Sequence, residues 1–560
     1  MPTTRASASL SSEKDKDSSR GSPFNQVSES GEKKEATKDH PSNEHGEIEV
    51  VDWEGRDDPA NPFNWSTSRK WVMTLTTCFM YGCVLPVRLP AGSYSAANDQ
   101  MSSLWNVQNN PFPNLTWATV SWNMGAALFP LLFVPLTENL ASYIIFIIFL
   151  FPSAWAHNFA TMVVTRFIGG GASSVSINLV GGSISDLYRT EKERSIPMSI
   201  FGWTSVVGIA LGPFIGGAIQ RNLNWRWIYW IQIIFNFSQA GCLPIFWFVL
   251  KETRGDVILA KRAKKFRKEG RNAYAKSELN KDNVFEMLKV SFKRPTKMLL
   301  TEYTVASFTF FHANYNLALT FEKWGLLFLF QSSITQTFST NYGFSVFQTS
   351  LIQLSLSAGA TIATAVNPLQ DQLYLRSAGR NKETPGKPIP EARLYFSIPG
   401  SLIFTAGLFV YGWTSYTFVP WIAPAVGIAM VGFGIYSIYQ AVVNYFTDAY
   451  SKYSASALSA ASFGRNLFGA FLPLASPQLY SNLGYQWAST LLGLVALVLS
   501  LAPVFLLIKG KQIRAKSPFM SESAYDDEDA EERKHGSVAE PVGRAGGNPG
   551  PHGQAVPATV

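Results

Sequence analysis

Cysteine is scarce in this chain. There are three in 560 residues, Cys78, Cys83 and Cys242, each inside an apolar run. That excludes a disulfide framework or a thiolate zinc site. Histidine is scarce too: six in all, four of them near the two ends. No HExxH, GxSxG or phosphate-binding loop occurs, so no metal centre, nucleophile or bound-ATP site is indicated. The expectation is a protein that is not an enzyme and takes no metal or cofactor. No basic cluster sits on a nucleic-acid motif, and no nucleic-acid partner is expected. The N-terminus lacks a cleavable secretory signal. Carboxylates are nearly missing from the apolar runs: Asp448 and Glu302 lie at ends, and Glu322 lies in an interrupted region.

What is present is apolar length. Runs long enough to cross a bilayer are read at about 71–88, 117–137, 142–156, 161–187, 197–218 and 228–250. A second set follows within 299–338 and at about 344–367, 394–413, 418–446, 456–479 and 486–508. The fold class expected is therefore an all-α membrane protein of twelve transmembrane helices, with the lipid bilayer as its partner. The chain divides into a disordered N-terminal tail (1–69), a six-helix half (70–250), a central loop (251–298), a second half (299–508) and a disordered C-terminal tail (509–560). The central loop holds fifteen Lys/Arg against six Asp/Glu, while 89–115, read as a polar outer loop, has no Lys or Arg. That bias places both tails and the central loop in the cytoplasm.

The halves repeat. Pro135-Leu136-Thr137-Glu138-Asn139-Leu140 closes the second span, and Pro368-Leu369-Gln370-Asp371-Gln372-Leu373 closes the eighth. Ser185-Asp186-Leu187-Tyr188 and Thr447-Asp448-Ala449-Tyr450 close the fourth and tenth, 262 positions apart, and Phe201-Gly202 and Phe463-Gly464 keep that offset. Matches in register at equivalent span ends mean a six-plus-six repeat, with a site at the interface of the halves near the midplane.

The stretch from Thr165 to Gly217 carries more than an anchor needs. Arg166 lies inside the fourth span, where a charge is costly. Gly208, Gly212 and Gly216 share one face of the fifth, a surface for close backbone approach. Pro213 leaves the Ile209 carbonyl without its helical N–H and should kink the helix. Gly208, Gly212–Pro213 and Gly216–Gly217 resemble the antiporter motif of major facilitator drug:proton antiporters. Arg166, Gly169 and Gly170 resemble that family's fourth-span motif, and Asp52 to Trp65 the lead-in of its fungal members. The resemblance covers roughly 52–510. It implies a proton gradient as the energy source, proton coupling at Arg166, and a cytoplasmic gate at Glu138, Asp371 and Arg376. The first gate copy departs from the family pattern, with Asn139-Leu140-Ala141 where a glycine and basic residues are expected.

From the residues themselves, Arg166 either organises water and biases a neighbouring carboxylate, or is a structural arginine bonded to backbone carbonyls. Trp122, Asn123, Tyr439, Gln440 and Asn444 form the candidate substrate cavity, each with an interhelical hydrogen bond as the plain alternative. The function expected is proton-coupled antiport of small organic compounds, such as xenobiotics or secondary metabolites, by a monomer in the plasma membrane. A polyamine exporter is the nearest alternative, but a polycation needs buried carboxylates that the spans do not supply. A non-transporting receptor on a transporter fold is another. Two spans are physically odd. The third has 15 residues, and the seventh is interrupted at His312–Asn316 and Glu322-Lys323. Displaced intron boundaries are one explanation and a re-entrant segment is the other.

Overall fold

A computed structural model describes residues 48–520, apart from 56, 81–88, 108–112, 134–138, 250–251, 280–283, 302–321, 383–385, 451–452 and 518. Helices dominate because the chain is a succession of apolar runs in which only the helix satisfies every backbone group internally. The first half comprises α1 (Thr67–Met80), α2 (Leu89–Ser93), α3 (Asn98–Trp105), α4 (Trp117–Phe133), α5 (Asn139–Ala154), α6 (Phe159–Leu187), α7 (Glu191–Asn222) and α8 (Arg226–Val249). The central segment holds α9 (Gly255–Lys268), α10 (Lys276–Leu279) and α11 (Val284–Thr301). The second half comprises α12 (Glu322–Tyr342), α13 (Val346–Arg376), α14 (Ser397–Thr414), α15 (Ile422–Tyr450), α16 (Ser454–Phe471), α17 (Ser476–Leu483), α18 (Tyr485–Leu499) and α19 (Leu501–Lys516). Among the described residues, six helical segments are long and apolar enough to cross a membrane by length and composition.

The sequence repeat has a tertiary counterpart. A Cβ at Gly125 would lie 1.9 Å from the Phe167 carbonyl oxygen, and one at Gly170 2.2 Å from that of Trp122. In the second half a Cβ at Gly359 would lie 1.8 Å from the Ala429 oxygen, and one at Gly432 2.1 Å from that of Leu356. Thus α4 crosses α6 as α13 crosses α15, each pair locked by two glycines exchanging backbone contact. Gly170 and Gly432 keep the 262 offset seen at the span ends.

Two expectations are corrected. Within 89–115, read as a polar loop, residues 89–105 are helical, in α2, a 3-10 turn over Tyr94–Ala97 and α3, with Tyr94, Ala97 and Met101 buried in the core of the first half. Small residues and a periodic apolar face outweigh the low mean hydropathy there. The tail read as disordered to residue 69 folds from Glu49 onward. β1 (Glu49–Val51) pairs in parallel with β2 (Ala273–Ala275) of the central segment, and Val51, Ala263, Ala273 and Ala275 form a small core. Arg262 Nη1 donates to Asp58 Oδ2 at 2.8 Å, and Asp58 also accepts from the Ala60 and Glu54 amides. The eleventh span is helical over its expected range, through α16 and α17, with a 3-10 turn over Leu472–Ala475 between them where Pro473 supplies no backbone donor. The short third span stays short, at 16 residues in α5. Of the interruption in the seventh span, His312–Asn316 lies outside the described residues and Glu322-Lys323 opens α12.

Candidate functional site: the seam between the two halves

The α7 helix runs unbroken through Pro197 and Pro213. Its glycine face meets α2. A Cβ at Gly212 would lie 3.0 Å from the Gly92 Cα, and one at Gly216 2.7 Å from the Ser93 carbonyl oxygen. Gly208 is buried along the same helix. Pro213 packs there too, its Cδ within 2.8 Å of where a Gly92 Cβ would stand. Gly217 faces the other half, where its Cβ would fall 2.3 Å from Ser350 Oγ of α13. The Ile209 carbonyl freed by Pro213 accepts from Gln331 Nε2 of α12 at 3.3 Å, and Gln331 also donates to Gln353 Oε1 at 3.3 Å. The missing helical bond is thus replaced by one from the opposite half.

Arg166 is 1% exposed. Its Nε donates to the Ala118 carbonyl at 2.8 Å and its Nη1 to the Pro90 carbonyl at 2.8 Å. Nη1 also reaches the Tyr229 hydroxyl at 3.3 Å, and Nη2 the Ala91 carbonyl at 3.5 Å. The guanidinium lies over the rings of Tyr94 and Trp122. Of the two readings left open, this geometry favours the structural one: the charge is matched by carbonyl dipoles of α2 and α4, and binds both to α6. Trp122 belongs to this buried setting, edge-on to Phe146.

Two further bonds join the halves. Asn123 Nδ2 donates to the Gly469 carbonyl of α16 at 3.1 Å, and Asn466 Nδ2 of α16 to the Ala126 carbonyl of α4 at 3.1 Å. Tyr439 stands edge-on to Trp324 with centroids 5.5 Å apart. Gln440 is buried against Gly202 of α7, and its amide nitrogen has no hydrogen-bond partner among the described residues. Asn444 is buried one turn further on. The expected cavity residues therefore divide: Trp122 serves the first-half core, Asn123 the seam, and Tyr439, Gln440 and Asn444 the inner side of α15.

At the ends of α7, α13 and α15 lies a polar cluster. Arg393 Nε donates to Asp448 Oδ2 at 2.7 Å, and its Nη1 to Asp371 Oδ1 at 3.4 Å. From α7, Ser195 Oγ donates to Asp371 Oδ2, and Arg194 Nη2 stands 3.7 Å from Asp448 Oδ1. Asn367 bonds Ser199, and the Tyr436 hydroxyl donates to the Ser199 carbonyl at 3.1 Å. Asp371 is thus in a cross-half contact with Ser195 of α7. Arg376 is exposed, and the pairing is made by Arg393, which stacks on Tyr374. Sequence reasoning missed Arg393 because it lies outside the repeated turn, in a 3-10 segment at the head of the ninth span. Glu138 lies outside the described residues. A recess of about 550 Å³ lies elsewhere, lined by Gln100, Gln220, Asn222 and Arg226 among others. It holds none of the groups above.

The Major Facilitator Superfamily profile matches residues 71–473. The chain belongs to that superfamily. Among its relatives are the MFS transporter cpaT of Aspergillus oryzae, 32% identical over 84% of this chain and 93% of that one. Another is the efflux pump radE of Floropilus chiversii, 30% identical over 86% and 87%. Its fold is similar to that of the xylose transporter XylE from E. coli in a partially occluded inward-open conformation. The TM-score is 0.52 at 16% identity, covering 79% of this chain and 97% of that one. This major facilitator chain is thus an all-α, multi-pass membrane transporter of two six-helix repeats, and not an enzyme.

Proposed function

We propose that this transporter is a proton-coupled antiporter that exports small amphipathic organic compounds across the plasma membrane. The observation carrying the reading is the seam itself. α7 meets α13 and α4 meets α16 through side-chain bonds, Asn123 to Gly469, Asn466 to Ala126 and Trp203 to Thr361, with Val206, Ile209 and Ala210 of α7 set in the apolar core of the second half. Two repeated halves that meet along such a seam move by rocking one against the other. The name of the relative radE supports the direction, outward.

Coupling falls to the cluster around Arg393 instead of Arg166. Arg166 is held by carbonyls and does not change its charge. Asp371 and Asp448 share Arg393, and each takes a further partner from α7, Ser195 and Arg194. Opening this end of the seam withdraws both α7 partners. Two carboxylates then depend on one guanidinium, which favours proton uptake by one of them. Closing returns the partners and releases the proton.

The test is uptake into inverted vesicles of an amphipathic dye under an imposed proton gradient. Asp448→Asn should abolish uphill uptake while leaving downhill counterflow. Uphill uptake that survives both Asp448→Asn and collapse of the gradient refutes the coupling. Spermidine transport in preference to amphipathic dyes would favour the polyamine alternative.

A further inference from the structure

The cations inside the helical bundle are not equally spent. Arg166 uses Nε and both terminal nitrogens on carbonyls and a hydroxyl, and Arg393 is paired with two carboxylates. Arg465 of α16 differs. Among the described residues its one hydrogen bond runs from Nη2 to Ser462 Oγ at 3.0 Å, on its own helix. A guanidinium has five N–H donors, so most of its capacity is left over. Its carbon lies 5.4 Å from the ring centroid of Trp324 on α12 and 5.7 Å from that of Tyr439 on α15. These two rings meet edge-to-face at 5.5 Å. The side chain is partly exposed rather than sealed. The corner thus joins three helices of the second half, two electron-rich rings and a cation opposed by no carboxylate among the described residues.

A charge on a span is expensive to keep. Ring faces offset part of that cost, but a planar fork with open donors fits a carboxylate or sulfonate better than it fits anything now touching it. We propose that Arg465 recognises an anionic group on the exported compound, with Trp324 and Tyr439 receiving an adjoining flat or apolar body. The substrate class is then an amphipathic organic anion. This rests on the export reading above and narrows it: the same positive charge repels a polyamine.

The test uses the full chain in lipid nanodiscs and two probes of matched shape, 2-naphthoate and the uncharged 2-naphthamide, titrated calorimetrically. Naphthoate should bind more tightly. Arg465→Gln should weaken naphthoate about 10- to 100-fold, the range for charge-assisted hydrogen bonds, and leave naphthamide within about twofold. If Arg465→Gln does not reach the membrane, Arg465→Lys takes its place and should lose about tenfold on naphthoate alone, since a point charge does not reproduce the fork. A parent protein without preference for the anion, or a variant that shifts both probes alike or neither, overturns the proposal. Cell export of the same compounds separates the two readings. Arg465-dependent naphthoate binding by a protein that exports nothing would sustain this site and defeat the export reading.

Discussion

Replacing Gln331 by alanine removes the side chain that answers the Ile209 carbonyl across the seam. The carbonyl is open because position 213 is proline and has no N–H. Leaving a buried acceptor unpaired costs about 1–3 kcal/mol in water-soluble proteins. Interhelical bonds within membranes average about 0.6 kcal/mol, with a ceiling near 1.7. The observed 3.3 Å is at the long end of a hydrogen bond, so a cost of about 1 kcal/mol is expected, roughly fivefold in any equilibrium it biases. The informative comparison is a double-mutant cycle. Pro213→Ala restores an N–H to the helix, which then satisfies Ile209 internally. Gln331→Ala in that background should lose only the Gln353 contact. The coupling between the two sites should therefore be about 1 kcal/mol, well above the 0.3–0.5 kcal/mol scatter expected of independent sites. Because the bond joins α7 to α12, it is read in two ways: resistance of the purified protein to denaturation, and the closed-seam population from spin-label distances between the ends of these helices. Additive effects of the two substitutions would show that Gln331 does not serve the carbonyl Pro213 leaves open.

The glycine face should be graded by distance. Gly216→Ala places a Cβ against the backbone oxygen of Ser93 and should depress export more than Gly212→Ala, where the approach is 3.0 Å; Gly212→Leu should abolish it. Equal dye export by all three would mean that α2 does not pack there. Arg166→Ala removes the hydrogen bonds to the Pro90 and Ala118 carbonyls, of which Ala118 still accepts from Ser121 Oγ, so it should lower the thermal stability of the purified protein by about 1–3 kcal/mol. A fully stable variant that fails only in uphill transport would return Arg166 to a coupling role. Beside the β1–β2 pair, the Arg262 hydrogen bond pulls the Asp58 pKa down to about 2. A depressed carboxylate stabilises the fold above its ordinary range near 4 and loses that contribution as pH falls through about 2. Hydrogen-exchange protection of Glu49–Val51 should accordingly decline between about pH 4 and 2, and Asp58→Asn should lower it at neutral pH. Protection unchanged in both cases would detach the strand from this ion pair.

The sequence alone determined the elements and the positions where something unusual must happen. Long apolar runs have one way to satisfy their backbone in lipid, so the helices and the six-plus-six repeat were legible from composition and spacing. Glycines four apart marked a close-packed face, and Pro213 marked an open carbonyl, because both follow from local geometry. Spacing along a helix fixes which side chains share a face. It does not fix what faces them. The partner of Ile209 is 122 residues away. Two of the three carbonyls that hold Arg166, those of Pro90 and Ala91, come from a segment read as a loop, and Asp371 takes its arginine from outside its own motif. The strand at Glu49 pairs with Ala273 only once the first half has brought the tail and the central segment together. In each case the alternatives are equal in local energy, and long-range packing selects among them.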